Sequence, residues 1–344
     1  MTASTRVEDA RCERPDLGPV LAVDGLQTHF VTKRGTVEAV RGVGFALDPG
    51  ERLAIVGESG SGKSALALSI LGLIEPPGKV VAGTVRLAGQ NIEHLPDRAM
   101  QRIRGRRIAL IYQDAMQALD PVKTIGSQLG EALRLHGGAL SRKAARRRAI
   151  ELLREVEVPK AAQRVDSYPH EYSGGMRQRV VIAMALANEP DVLIADEPTT
   201  ALDVTTQAQV LGLLDRLVAE RRTAVILITH NLALVAEFCD TIAVMYAGRL
   251  VEQTSTERLF AAPQHPYAQA LLAAMLRSDR LETGPLPSIP GSPPDLVALP
   301  TGCAFRARCH VGRSLADCAA IDPPLAAVRE EGRVACHHPS EART

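Results

Sequence analysis

The chain contains no tryptophan, and aromatic residues make up only 3% of its 344 positions. Surfaces that stack on nucleobases need such rings, so the composition gives nucleic acid no support as a partner. Charge of one sign is also missing. Forty basic side chains face 39 acidic ones for a net charge of +1, which leaves no global field to draw in polyanions. No uninterrupted apolar run approaches the ~18 residues that a membrane-spanning helix needs. Residues 1–19 mix Arg, Glu and Asp without an apolar centre, so they are expected to be a disordered leader and not a secretory signal. The protein is therefore expected in the cytosol, with any membrane role carried by a partner. Cysteine is sparse until the end of the chain. Of six, Cys12 lies in the polar leader, Cys239 in an apolar helical stretch, and the other four fall within the final 42 residues. In a reducing compartment such a cluster points to metal ahead of disulfides.

What is present begins with Gly57-Glu58-Ser59-Gly60-Ser61-Gly62-Lys63-Ser64, between the apolar run Leu53-Ala54-Ile55-Val56 and a helical pattern over 65–73. Strand, glycine-rich loop and helix in that order make a phosphate site. Backbone N–H groups converge with no Cβ in the way, and the helix N-terminus adds partial positive charge. Lys63 is expected to reach the β- and γ-phosphates and Ser64 to take a place on Mg²⁺. Val192-Leu193-Ile194-Ala195-Asp196-Glu197 is an apolar strand ending in two acids. Asp196 suits Mg²⁺ or its water; Glu197 suits polarising a water for in-line attack on a γ-phosphate. Ser173-Gly174-Gly175, entering a helix, is a second anion site of free N–H groups, a hydroxyl and a dipole. Two such sites so far apart suggest a nucleotide clamped between two subunits.

The length suits about two domains, or one large domain with an appendage. Short apolar runs between turn residues over 20–56 predict an antiparallel layer, with another strand over 80–87. Helical periodicity covers 127–158 and then 174–188. Strands over 192–195 and 224–228 alternate with helices over 206–221 and 232–238, which implies a mostly parallel sheet, and a hairpin follows about Ala247-Gly248. Beyond Thr254, Pro285, Pro287, Pro290, Pro293, Pro294 and Pro300 predict an extended linker. The cysteine-rich end has too few apolar residues for its own core, so it is expected to need a staple.

The motifs in this order resemble the ATP-binding subunit of an ABC transporter. The resemblance matches Gln113 to the lid glutamine that contacts Mg²⁺ and water, Thr200-Ala201-Leu202-Asp203 to the dimer-contact loop, and His230 to the histidine on the γ-phosphate. Phe30 matches either the ring that stacks on adenine or a core strand residue. The run Pro169-His170-Glu171-Tyr172-Ser173-Gly174-Gly175-Met176-Arg177-Gln178-Arg179 is similar to the D-type ATPases of dipeptide, oligopeptide and nickel importers. So are Gln264-His265-Pro266-Tyr267, Ser288-Ile289-Pro290-Gly291 and the stretch from Gly302-Cys303 onward, so that the likeness covers about residues 20–338. Tyr172 stands where Leu is usual, and Met176 where the general signature has Gln. The implied fold is a P-loop NTPase cassette over 20–254, a mixed α/β sheet with an antiparallel layer and a helical subdomain at about 115–180. A cysteine-rich regulatory segment follows over 255–344.

Cys303, Cys309, Cys318 and Cys336 are separated by five, eight and seventeen residues. Four thiolates close a [4Fe–4S] or a Zn²⁺ site, and the short knuckle usual for zinc is missing. The likeness tips the reading to the cluster; His310, His337 and His338 keep zinc open, and free thiols or a redox disulfide stand as the plain alternative. Two basic runs (Arg102, Arg104, Arg106, Arg107; Arg142, Lys143, Arg146, Arg147, Arg148) read as solvated faces, or else as contacts with lipid or a membrane partner. The expected activity is ATP hydrolysis powering import of peptides or a similar small solute, from the cytoplasmic face of the membrane. The implied partners are a second ATPase of F-type, two permease subunits and an extracytoplasmic solute-binding protein. The rival readings are a soluble ABC-type ATPase acting on ribosomes or DNA, and a redox-sensing module with ATP as ligand.

Overall fold

Alternation along the buried strands decides how the layers form. On β3 (Arg52–Val56), Leu53 and Ile55 enter one hydrophobic core while Ala54 and Val56 enter the other. On β7 (Val192–Asp196), Val192 and Ile194 face the first core, Leu193 and Ala195 the second. Successive side chains on a strand point to opposite faces, so an unbroken apolar run must be covered on both. The chain is described by a computed structural model over residues 18–136, 140–199, 202–276, 289–328 and 332–340. Cys12, Thr200, Ala201, Pro285, Pro287 and Ser288 lie outside these residues.

The first layer is antiparallel, with the order β2-β1-β4-β5 for β1 (Leu21–Thr32), β2 (Gly35–Leu47), β4 (Gly78–Leu87) and β5 (Gln90–Asn91). The separate short runs read from the sequence are here one long hairpin, because bulges in β1 absorb the breaks in alternation. The second sheet has eight strands in the order β11-β12-β10-β9-β3-β8-β7-β6. Its centre is parallel: β6 (Ile108–Ile111), β7, β8 (Ala224–Ile228), β3 and β9 (Thr241–Tyr246). β6 escaped the sequence reading, since four apolar residues carry no period of their own.

Helix α1 (Lys63–Ile70) follows β3; the short α2 (Asp97–Met100) precedes β6. Between β6 and β7 lie α3 (Ala115–Ala118), α4 (Ile125–His136), α5 (Arg142–Glu155), α6 (Ala161–Arg164) and α7 (Gly174–Leu186), the helical subdomain. Tyr172 is buried there, and its hydroxyl donates to the Arg164 carbonyl at 2.7 Å, so the ring fills the place expected for Leu with its polar tip satisfied. α8 (Val204–Arg221) and α9 (Leu232–Phe238) cross over between β7, β8 and β9. The basic runs are largely paired within the chain. Arg104 meets Asp97, Arg107 meets Asp191, Arg146 meets Asp166, and Arg147 and Arg148 meet Glu151. These pairs favour solvated, internally compensated faces over a surface reserved for lipid.

The chain beyond 254 differs most from expectation. β10 (Arg249–Ser255) is joined by β12 (Arg333–Val334), which pairs with β11 (Ala326–Ala327), so the end of the chain extends the main sheet. α10 (Thr256–Ala261) and α11 (Pro266–Leu276) precede the proline-rich stretch, and α12 (Ala316–Ala320) lies among the cysteines. Tyr267, Phe305 and Cys309 are buried in the same core as the eight-stranded sheet. The described part of the cysteine-rich segment is thus packed onto the main sheet, because its few large apolar residues are spent on that core. No helix among the described residues is long and apolar enough to cross a membrane.

Candidate active site

The loop 57–62 wraps a cavity of about 530 Å³ whose walls include Lys63, Ser64, Gln113, Glu197 and His230. Gly62 caps α1 with φ 103°, and a Cβ there would stand 2.1 Å from the Ala39 carbonyl oxygen, so only glycine lets the loop close against β2. Lys63 is buried, and its Nζ donates to the Gly57 and Glu58 carbonyls, both at 2.9 Å. Desolvation pulls its pKa below the usual lysine value, against the opposing pull of Glu197, Asp196 and Glu58. The ammonium is held over the loop, within the field of three acids.

Gln113, in the loop after β6, donates from Nε2 to Glu197 Oε2 at 3.0 Å. His230, after β8, sits with Nδ1 3.0 Å from the other oxygen, Oε1. Three segments far apart in sequence therefore meet at one carboxylate on the edge of the cavity. Glu197 adopts φ +46°, a conformation costly for a side chain with a Cβ, and its N–H is tied to the Ile228 carbonyl at 2.8 Å. That turn swings Glu197 out of line with Asp196. Asp196 is hydrogen-bonded to the Ser64 hydroxyl, and burial raises its pKa above the ordinary carboxyl value. A buried acid beside a hydroxyl at a phosphate loop fits a divalent cation, whose charge would offset the desolvation.

Other expected residues are not brought to the cavity. Ser173 caps α7, accepting from the Met176 N–H at 3.4 Å, and with Gly174 it is exposed; neither they nor Gly175 line the cavity. Asp203 caps α8, taking hydrogen bonds from the Thr206 N–H at 3.0 Å and hydroxyl at 2.7 Å, and also faces solvent. Phe30 is a partly buried strand residue whose ring lies against Gly78, where a Cβ would come within 2.5 Å of it, and it too is outside the cavity wall. Sequence reasoning missed Ala39, Leu271 and Leu296, which complete the wall. Leu271 and Leu296 come from beyond residue 254, where no nucleotide motif points.

Cys303, Cys309, Cys318 and Cys336 converge on a second, small cavity that His265, His337 and His338 also border. All five described cysteines are free thiols. The Gly312 N–H points at Cys309 Sγ at 3.1 Å and the His338 N–H at Cys336 Sγ at 3.4 Å. A Cβ on Gly312 would lie 2.7 Å from Cys318 Sγ and 3.7 Å from Cys309 Sγ, so the glycine keeps the cradle open. Burial pushes the Cys318 and Cys336 thiols up to about 11 and raises Cys303 as well. Among the described residues, the metal-ligand trio with donor atoms within 4.8 Å of one another is Asp317, Cys318 and His338. His338 Nε2 lies 2.7 Å from the Asp317 carboxylate.

Comparison with known proteins agrees with this geometry. The ABC transporter family profile matches residues 40–200, and that of the oligopeptide/dipeptide transporter C-terminal region matches 251–315. The dipeptide transport ATP-binding protein DppD of Bacillus subtilis is 50% identical over 291 residues, covering 84% of this chain and 86% of its own. A probable peptide ABC transporter ATP-binding protein of Sinorhizobium fredii is 46% identical over 328 residues, covering 95% and 97%. Among solved structures, the ATP-binding cassette MJ0796, dimeric with ADP and Pi, superimposes with a TM-score of 0.62 at 29% identity. That match spans 69% of this chain and 98% of the cassette. A cassette with a complete phosphate loop, an acid held by Gln113 and His230, and the peptide-transporter C-terminal region built onto its sheet belongs to the ABC transporter family, as an ATPase subunit of the oligopeptide/dipeptide type.

Proposed function

We propose that the chain binds MgATP in the cavity over Lys63 and hydrolyses it through Glu197, and that turnover drives uptake of peptides or a similar small solute through membrane permeases served by a solute-binding protein. The carrying observation is the carboxylate of Glu197, engaged at both oxygens by Gln113 and His230 at the edge of a phosphate-loop cavity. Glu197 accepts a proton from the attacking water as its oxygen bonds the γ-phosphorus, and the bond to the ADP oxygen breaks in line. Lys63 and the loop N–H groups bind the phosphates. His230 and Gln113 orient the carboxylate and contact the γ-phosphate and water. Mg²⁺, held by Ser64, Asp196 and Gln113, would neutralise charge on the phosphates.

Ser173, Gly174, Gly175 and Asp203 act on the nucleotide of a partner ATPase, an F-type subunit in our reading; Ser173, Gly174 and Asp203 are exposed. In the assembled transporter, Ser173→Arg is expected to stop turnover at the partner's site while this chain's own ATP binding persists, read by nucleotide binding to each subunit. Loss of binding at its own Lys63 site would mean that the two motifs meet within one chain.

The four cysteines hold a [4Fe–4S] cluster. Tetrahedral zinc with Zn–S near 2.3 Å would draw its sulfurs to about 3.8 Å apart. No three of these sulfurs lie within 4.8 Å of one another. N–H groups aimed at sulfur favour thiolates, which a metal charge would stabilise despite their burial. Protein purified without oxygen is expected to be brown, with about four irons per chain. Cys309→Ser should bleach it and loosen the C-terminal segment to protease, with ATP still bound. A colourless protein holding one zinc would overturn the cluster.

A further inference from the structure

Glu58, the second residue of the phosphate loop, is gripped from the C-terminal segment by two side chains. Arg308 makes a bidentate pair with its carboxylate, at 2.6 Å to Oε2 and 2.9 Å to Oε1. The Tyr267 hydroxyl accepts from the Glu58 backbone N–H at 2.9 Å. Neither contact belongs to the motifs that bind phosphate.

Arg308 has no slack. Its side chain is only 4% exposed. Its remaining donors go to the Pro290 carbonyl at 2.9 Å, the Ile289 carbonyl at 3.4 Å and the Tyr246 hydroxyl at 3.4 Å. All five N–H donors of the guanidinium are thereby used, which fixes its plane. The Tyr246 and Phe305 rings pack around it, with centroids at 5.9 and 6.0 Å. A buried guanidinium in such a mount presents its fork at one place, and a carboxylate bound there is held in orientation as well as in charge.

Tyr267 is mounted as firmly. It is fully buried and is the second residue of α11, whose approach is set by Glu252 accepting from the Gln264 N–H at 2.8 Å and the His265 N–H at 2.7 Å. His265 Nδ1 accepts from the Tyr267 N–H at 3.0 Å, so its proton is on Nε2, which bonds the backbone of Ala335. Ala335 precedes Cys336, as Arg308 precedes Cys309. Both grips on the phosphate loop are thus rooted beside the cysteine cradle.

We infer that Arg308 and Tyr267 are positioning residues of the nucleotide site. Through Glu58 they hold the phosphate loop in its binding shape, so the C-terminal segment is a working part of the ATP site. The physical reason is entropy: a glycine-rich loop left loose must be ordered by the ligand, and prior ordering spares that cost. The inference rests on the assignment of the cavity to ATP.

The test is equilibrium binding of MgATP to the full chain, with thermal unfolding as the check on folding. Arg308→Gln is expected to raise Kd on the order of tenfold or more, and Tyr267→Phe about fivefold. KM should rise with Kd, while kcat falls far less than in Glu197→Gln. Arg308→Lys, which keeps charge without the fork, should recover part of the affinity. In a Glu58→Gln background, Arg308→Gln should add little, since the two act as one contact. A generally structural role for Arg308 would instead lower the unfolding temperature and make the two losses additive. If Arg308→Gln fails to fold, Tyr267→Phe decides, because it removes a single oxygen. Wild-type affinity in Tyr267→Phe and Arg308→Gln, or additivity with Glu58→Gln, overturns the inference. Should Lys63→Ala also bind normally, it is the ATP assignment that fails; if Lys63→Ala alone loses ATP, only the anchoring fails.

Discussion

Glu197→Gln is expected to bind MgATP as the wild type does and to turn it over on the order of 10²–10⁴ times more slowly, the usual worth of a positioned base. The substitution is nearly isosteric. The amide oxygen can still accept from Gln113 or His230, which now meet the carboxylate at 3.0 Å each, and the turn that sets Glu197 at φ +46° is unaffected. What is lost is the capacity to take a proton from water. With binding intact and the chemical step blocked, the variant should accumulate as an ATP-bound dimer with its partner, detectable by size-exclusion chromatography. A wild-type rate of phosphate release would refute the catalytic role of Glu197.

Lys63→Ala carries the second large effect, a loss of ATP affinity of at least a hundredfold on an order-of-magnitude estimate for removing a charge-assisted contact from a buried site. The ammonium is buried against the Gly57 and Glu58 carbonyls and the Ser61 hydroxyl, and desolvation holds its pKa below the usual lysine value. A triphosphate offsets that desolvation, and without Lys63 the acids Asp196 and Glu197 would face it with less positive charge between them. Titration with a fluorescent nucleotide measures the change. Unchanged affinity would remove the assignment of the loop 57–64 to phosphate.

The machinery of hydrolysis was legible because it is built from local rules. A strand ending in Asp196-Glu197, a glycine loop before Lys63 and a Ser-Gly-Gly helix entrance each impose backbone shape on a few consecutive residues, and short-range sterics and hydrogen bonding write that shape in residue type. Order along the chain then implies which of them share a sheet. β3, β7 and β8 were readable as buried strands for the same reason, their apolar runs having nowhere to go but between two layers.

Elsewhere local signals were ambiguous, and packing decided. β6 is four apolar residues that become a strand by pairing with β7. The stretch beyond 254 reads as proline-rich linker and poor core, yet Tyr267 and Phe305 find their burial in the ATPase sheet, on partners more than 20 residues away in sequence such as Tyr246. Phe30 reads from the sequence as a ring for adenine or a strand neighbour, and its contact with Gly78 is one that only the pairing of β1 with β4 supplies. The amino-acid sequence by itself determined that this protein has a glycine loop shaped for phosphate before Lys63 and a buried strand ending in two acids, because those features depend on neighbours in the chain. Tertiary structure alone decided that Gln113 and His230 engage the two oxygens of Glu197, that Gly312 keeps the sulfur cradle open, and that Arg308 reaches 250 residues back to Glu58. Long-range charge pairing and burial are set by where the layers fall, and no periodicity along the chain records them.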